Sequence, residues 1–334
     1  MYNCKNHYNM LGYSTYEECC NDYPQFCNDT RDLKCSFETE YKHFDYKTCK
    51  PEGWPQQNDD CWLDSSLYAL FSPQKSVIIF SDILDHLNQS QDKDEKDIAL
   101  YISNYLNGLN NTQWSKTENC KQKYKNEIAK CLLSWNTSHN YLLNIGNESM
   151  YDSIFEKDGT GDIGRGPQDI LFKFFSLVSQ SMIDLQEPDS SYINSVCNHT
   201  IDKPLKSIIT QIFPTSNKRI IILSLNGINI NKCKDRTQLE EIKDIRNYKL
   251  QSIVSGLGAH IVTDTLCGNQ IISYNNMGDS RSNANLVNIL DHTIDRFLYS
   301  EQLIFLYIQD SSGGKKIRKS KKVRKSRKVR KSRK

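Results

Sequence analysis

The feature that most constrains this chain is a change of hydrophobic period part-way along it. From Cys61 to about Met182 the apolar residues recur at helical spacing; from Lys218 onward they form short Ile-rich or alternating runs. CWLDSSLYALFS, which begins at Cys61, carries Leu63, Leu67 and Leu70 at helical intervals and has no Gly or Pro. The same spacing predicts helices over Val77–Leu87, Lys96–Leu106, Asn119–Trp135 and Gln168–Met182, the last opening just after Pro167, a favoured first-turn residue. Lys218–Leu225 (KRIIILSL) predicts a buried strand, because a nearly continuous Ile-rich run suits a sheet covered on both faces. Tyr248–Val254, His260–Thr265, Gln270–Tyr274 and Leu303–Ile308 predict further strands, with Cys267, Gly268 and Asn269 supplying a hairpin turn. Helices first and strands afterwards predict an α+β body, with a helical first half and an antiparallel sheet in the second, rather than a βαβ repeat.

The two ends differ from this body. Residues 315–334 read KKIRKSKKVRKSRKVRKSRK, with 14 basic residues and no acid, so the formal charge of +3 hides a body of 29 basic against 40 acidic residues. Such a run predicts a disordered tail over 313–334 that acts electrostatically: nuclear or nucleolar import, nucleic-acid phosphate contacts, or packing into an acidic assembly. At the other end, Cys4, Cys19, Cys20, Cys27, Cys35 and Cys49 crowd the first 50 residues. They predict a small cysteine-rich module over 1–50, held by disulfides, by zinc with His7 and His43 as extra ligands, or left as free thiols. PEGWPQQNDD (Pro51–Asp60) then reads as a polar linker leading into a body that extends to residue 312. An apolar fraction of 37% allows a sizeable core and excludes collagen-like or wholly disordered chains. No stretch approaches the ~18 apolar residues of a membrane span, and MYNCKNHYNMLGY has neither a basic nor an apolar signal region, so the expectation is a cytoplasmic protein without membrane contact.

The chemistry concentrates on two residues. A cysteine nucleophile works as a thiolate, and the partial positive charge of a helix N-terminus favours that form; Cys61 stands where the first helix of the body should begin. A histidine must then share the proton, and a third polar group must orient the histidine. Among seven histidines His260 differs, since it follows the flexible Gly256-Leu257-Gly258-Ala259 approach and opens a predicted strand. A hairpin centred between Cys267 and Gly268 would pair residues whose numbers sum to 535 and set Asn275 opposite His260, within the ~4.5–5.5 Å Cβ separation of opposed side chains. Half a residue of slip would substitute Asn276. Taken alone, Cys61 also reads as a buried packing cysteine, and His260 as an ordinary strand histidine.

Several segments, in order, resemble a family. NDDCWLDSSLYALFS (Asn58–Ser72) is similar to the cysteine box of ubiquitin-specific proteases, closest to the cylindromatosis-type deubiquitinases and their giant-virus relatives. GPQDILFKFFSLV (Gly166–Val178) resembles the family's Gln-Asp helix box, with Gln168 and Asp169 in the matching places. IIILSLNGI (Ile220–Ile228), YKLQSIVSGLGAHIVTD (Tyr248–Asp264), IISYNNMG (Ile271–Gly278) and EQLIFLYIQ (Glu301–Gln309) resemble the strand before the histidine box, the box itself and the closing strand. The likeness covers about Trp54–Gln309.

That resemblance implies a papain-like cysteine protease fold and a deubiquitinase that hydrolyses the bond after the ubiquitin C-terminal glycine, with ubiquitin or ubiquitinated proteins as partners and no cofactor or metal. It implies Cys61 as nucleophile, His260 as base and Asn275 as orienting residue. Gln56 matches the oxyanion position five residues before the cysteine, with Gln57 and Asn58 as fallbacks. Asp59 and Asp60 depart from the family pattern, and two carboxylates beside a thiolate oppose its charge. They favour a second reading, a catalytically weak or inactive homologue that binds ubiquitin or nucleic acid. For the tail at residues 315–334, the nucleus or a virion is the expected destination.

Overall fold

The computed structural model describes residues 14–15, 18, 40–44, 61–109, 118–139, 156–157, 163–165, 169–199, 204–226, 239–257, 260–274, 284–288 and 302–310. The expected tail, the linker Pro51–Asp60 and the six cysteines of the first 50 residues lie outside them.

Four helices come first: α1 (Cys61–Phe71), α2 (Gln74–Asn88), α3 (Lys93–Leu109) and α4 (Glu118–His139). Each covers a stretch whose apolar spacing predicted it. A two-stranded ribbon follows, β1 (Glu156–Lys157) with β2 (Ile163–Arg165), and then α5 (Ile170–Val178). The expectation that this last helix runs from Gln168 to Met182 is corrected at its C-terminal end. The chain turns at Ser179, whose N–H donates to Phe175 O at 3.1 Å, and Ile183 already belongs to strand β3 (Ile183–Gln186). A continuous apolar count had bridged helix and strand.

Helices α6 (Ser190–His199) and α7 (Pro204–Ile212) connect β3 to β4 (Ile220–Asn226), which lies parallel to it. This one crossover departs from the expected antiparallel sheet. The rest is antiparallel: β5 (Asp244–Ile245), β6 (Tyr248–Leu257), β7 (His260–Cys267), β8 (Gln270–Tyr274), β9 (Ala284–Asn288) and β10 (Gln302–Gln309). The spatial order is β3-β4-β10-β6-β7-β8-β9, with β5 paired to β6. The body is therefore α+β, as its periods predicted.

Both faces of the sheet are covered. On β4, Ile220 and Ile222 join the core under α1–α5, while Ile221, Leu223 and Leu225 join a second core under α6 and α7. On β10, Ile304, Leu306 and Ile308 divide from Leu303, Phe305 and Tyr307 in the same way. Burial on both sides is why these two strands read as unbroken apolar runs rather than alternating ones.

Part of the first 50 residues packs onto this body. Phe44 is buried, with its ring edge-on to Phe71 of α1 at 6.0 Å between centroids. Tyr41 OH donates to Asp85 Oδ1 at 2.7 Å, Asn104 Nδ2 donates to Glu40 O at 3.3 Å, and Ser103 Oγ donates to Lys42 O. Residues 40–44 thus lie across α2 and α3.

Candidate active site

Helix α1 is buried along its whole length, from Cys61 to Phe71. A helix surrounded by protein must satisfy its polar side chains internally. Ser66 Oγ donates to Trp62 O at 2.6 Å within the helix. Ser65 Oγ donates to Ile261 O of β7 at 3.1 Å, and Thr263 Oγ1 donates back to Ser65 O at 3.0 Å. One turn further on, Ser252 Oγ of β6 donates to Ala69 O at 3.1 Å. Ser252 pairs with Thr265, at the far end of β7. Helix and strand therefore run side by side in the same direction.

That alignment fixes where the two main candidates fall. Cys61 precedes Ser65 by one turn, about 6 Å of helix rise. His260 precedes Ile261 by one residue and is the first residue of β7, where it pairs with Leu257. Cys61 and His260 thus stand at the same end of the packed α1–β7 unit. Cys61 is a free thiol with 7% of its surface exposed, at the first position of α1. His260 is half-buried.

Two further residues meet α1 from the helical side. Asp64 is fully buried in the first turn, and Lys125 of α4, 2% exposed, donates from Nζ to Asp64 Oδ2 at 2.7 Å. Tyr105 OH of α3 donates to Asp64 Oδ1 at 3.3 Å. Sequence reasoning passed over this ion pair. The signal was present: Lys125 occupies the stripe that Ile128, Ala129 and Leu132 continue, where an apolar residue is expected.

Helix α5 begins at Ile170. Asp169, buried, is the residue before the helix and pairs with Lys173 at 2.9 Å, while Lys173 also reaches Glu187 at 3.0 Å. Burial works against the charge on Lys173, but the two carboxylates outweigh it and hold its pKa above the usual lysine value. The helix packs on α1 through Phe175 and Phe71, 6.3 Å between ring centroids. Cys131, the other free cysteine among the described residues, has a thiol pushed up to about 12, first by burial and then by Asp97, Glu127 and Asp94. It lies on α4, half-buried.

The hairpin register differs from the one expected. Cys267 pairs with Gln270 and Thr263 with Tyr274, so opposed residues sum to 537 rather than 535. The turn residues are Gly268 and Asn269, with Gly268 at φ 63°. A two-residue hairpin of this kind takes Gly at its first central position, which moves the turn one residue on from the Cys267–Gly268 centre. The described β7–β8 ladder ends at the Thr263–Tyr274 pair, and the expected pairing of Asn275 with His260 lies beyond it. Asn275 and Asn276 lie outside the described residues, as do Gln56, Gln57, Asn58, Asp59, Asp60 and Gln168. Cys267 is disulfide-bonded.

No family model matches the sequence, and no curated protein does. Solved structures do show a likeness. The SAGA DUB module Ubp8/Sgf11/Sus1/Sgf73 bound to monoubiquitin is matched at TM-score 0.42 and 11% identity, over 88% of this chain and 74% of that chain. The same module bound to ubiquitin aldehyde is matched at TM-score 0.42 and 9% identity, over 79% and 71% of the two chains. A yeast SAGA DUBm structure with a substituted Sgf73 is matched at TM-score 0.36 and 12% identity, over 87% and 75%. Scores at this level do not establish a shared fold.

Proposed function

We propose that this chain is a cysteine-dependent deubiquitinase of papain-like architecture, hydrolysing the isopeptide or peptide bond after the ubiquitin C-terminal glycine. One observation carries the reading: the Cys61 end of α1 and the His260 end of β7 coincide, fixed by the Ser65, Ile261 and Thr263 hydrogen bonds. The ordered sequence boxes supply the substrate class. In the reaction, the Cys61 thiolate adds to the scissile carbonyl, and His260 in its protonated form gives a proton to the departing amine. The resulting thioester is then opened by water, whose proton goes to His260, and Cys61 departs as the thiolate, which restores the starting pair. Asn275 holds the imidazole, and Gln56 or Asn58, with the Cys61 backbone N–H, stabilises the oxyanion. Thr263, not His260, belongs to the α1 face of the strand by alternation, so the imidazole approaches Cys61 round the end of β7.

A ubiquitin probe with a C-terminal electrophile tests this directly. Wild-type protein is expected to label at Cys61, and Cys61→Ala and His260→Ala to lose labelling. Absence of wild-type labelling, or equal labelling of Cys61→Ala, overturns it. The second reading, a ubiquitin-binding homologue without turnover, is favoured by Asp59 and Asp60 and by the small exposure of Cys61. Ubiquitin affinity in the absence of labelling would select it. The 315–334 tail we read as a separate electrostatic address for nucleic acid or an acidic assembly, dispensable for the chemistry.

A further inference from the structure

We propose that Lys125 is a positioning residue for Cys61: acting through Asp64, it holds the first turn of α1 in place and offsets a carboxylate charge that would otherwise oppose the thiolate. The proposal rests on Cys61 as the reactive thiol. Asp64 lies three residues after Cys61, so the two side chains are neighbours on one helix face, with Cβ atoms ~5–6 Å apart. An uncompensated carboxylate at that distance in a buried setting would strongly disfavour a second negative charge.

The arrangement does more than hold the core together. Two helices grip the two oxygens of one carboxylate, α4 through Lys125 Nζ at 2.7 Å and α3 through Tyr105 OH at 3.3 Å. On the opposite side, Ser65, the next residue, is bonded to β7 in both directions. The first turn of α1 is thereby fixed in rotation from three elements. A buried ion pair is a poor source of net stability, and an apolar pair of similar volume would pack α1 as well. The ionic pair is better explained by what it does beside Cys61.

The other charged groups on elements packed against α1 are His260 and Asp264 on β7, Lys249 on β6, Asp169 and Lys173 at α5, Lys75, Asp82, Asp85 and His86 on α2, Lys93, Asp94, Glu95, Lys96 and Asp97 on α3, Glu118, Lys121, Lys123, Glu127, Lys130 and His139 on α4, and Glu40, Lys42 and His43 beside Phe44. Asp59 and Asp60 precede Cys61 in sequence. None changes in the variants below, so a shift between variants reports the Asp64–Lys125 pair.

The test is the pH dependence of Cys61 alkylation by iodoacetamide in the full chain, followed by peptide mass spectrometry. Lys125→Met is expected to raise the midpoint of the profile by about one pH unit, a roughly tenfold slower reaction near neutral pH. The double variant Asp64→Asn/Lys125→Met, which removes both charges of the pair, is expected to return the midpoint to the wild-type value or below. Should Lys125→Met not fold, Lys125→Gln takes its place, keeping a donor for Asp64 without the charge, with the same shift expected. A folded Lys125 variant that titrates like wild type, or a double variant displaced as far as the single, overturns the proposal. Because no ubiquitin is used, failure here leaves the deubiquitinase reading standing, and failure of ubiquitin labelling leaves this result interpretable.

Discussion

Tyr68 of α1 lies face to face with Tyr274 of β8, with ring centroids 4.3 Å apart and 17° between the planes. Both side chains are buried, and Tyr274 pairs with Thr263, whose hydroxyl is bonded to Ser65 on the same helix. The stack therefore ties α1 to the last described residue before Asn275. Tyr68→Ala is expected to cost about 3–5 kcal/mol, the usual range for truncating a buried aromatic. A double-mutant cycle with Tyr274→Ala should return a coupling of about 0.5–1.5 kcal/mol. Urea midpoints check both; a coupling of zero would mean the stacked pair adds nothing beyond burial.

The second prediction concerns the N-terminal segment. Phe44 fills a space against Phe71, and Tyr41 is bonded to Asp85, so residues 40–44 contribute to the helical core rather than merely preceding it. Phe44→Ala is expected to destabilise the body by about 3–5 kcal/mol. Removal of residues 1–50, which deletes Tyr41 and Phe44 together, should destabilise it by at least as much. Thermal melts of the two proteins decide this. A truncated protein as stable as wild type would show that the segment rests on the body without supporting it.

Alkaline pH should unfold this protein early. Burial is the first cause that raises the Cys131 thiol to about 12 and the Tyr41 and Tyr307 hydroxyls above the usual tyrosine range. For each group the folded pKa lies above the unfolded one, so the folded state holds protons that the unfolded state gives up. The associated stability is complete below the unfolded pKa, near 9 for the thiol, and is lost as pH rises through the folded value. Urea titrations at rising pH are expected to show stability falling from about pH 9. Cys131→Ala should flatten the first part of that fall, and a flat wild-type profile to pH 11 would contradict it.

What the sequence revealed follows from where its signals are local. Gln270–Tyr274 was readable at both ends, because a Gly-bearing turn precedes it and a polar Asn pair follows. The helix after Cys61 was readable because its apolar spacing is uninterrupted. Helix α6, SSYINSVCNH, was not, since Ile193 and few other apolar residues mark its face. Strand β3 was absorbed into the preceding helix because only Ser179-Gln180-Ser181 separates two apolar stretches. At the candidate site, the helix that begins at Cys61 and the strand that begins at His260 were legible from their flanks. The Asp64–Lys125 pair joins residues 61 positions apart, and no local periodicity records such a partner.

Gly268 sets the hairpin that carries His260 and therefore the register of the site. At φ 63°, any side chain is strained there, although nothing lies within 4 Å of an added Cβ. Gly268→Ala is expected to cost about 1–2 kcal/mol through backbone strain alone. Because the hairpin shares one core with α1, the melting temperature should fall by roughly 2–8 °C, and ubiquitin-probe labelling should slow. An unchanged melting temperature together with unchanged labelling would show that the turn tolerates the strain.

The register also separates two candidates for the third catalytic position. Pairs along β7 and β8 sum to 537, so a ladder continued past Tyr274 matches Asn275 with Val262 and Asn276 with Ile261. Val262 lies two residues from His260, on the same face of β7, and its partner is a diagonal neighbour of His260 at ~7–8 Å between Cα atoms, close enough for an amide and an imidazole to meet. Ile261 points the other way, into the core under α1, and a residue opposite it would share that direction. On that continuation Asn275, rather than Asn276, is the residue we propose to orient His260. Asn275→Ala is expected to slow probe labelling by roughly a hundredfold, a loss in keeping with general acid–base catalysis, and Asn276→Ala by less than about threefold. Side-by-side labelling rates at one pH decide it, and the reverse order would mean that the ladder slips by one residue beyond Tyr274.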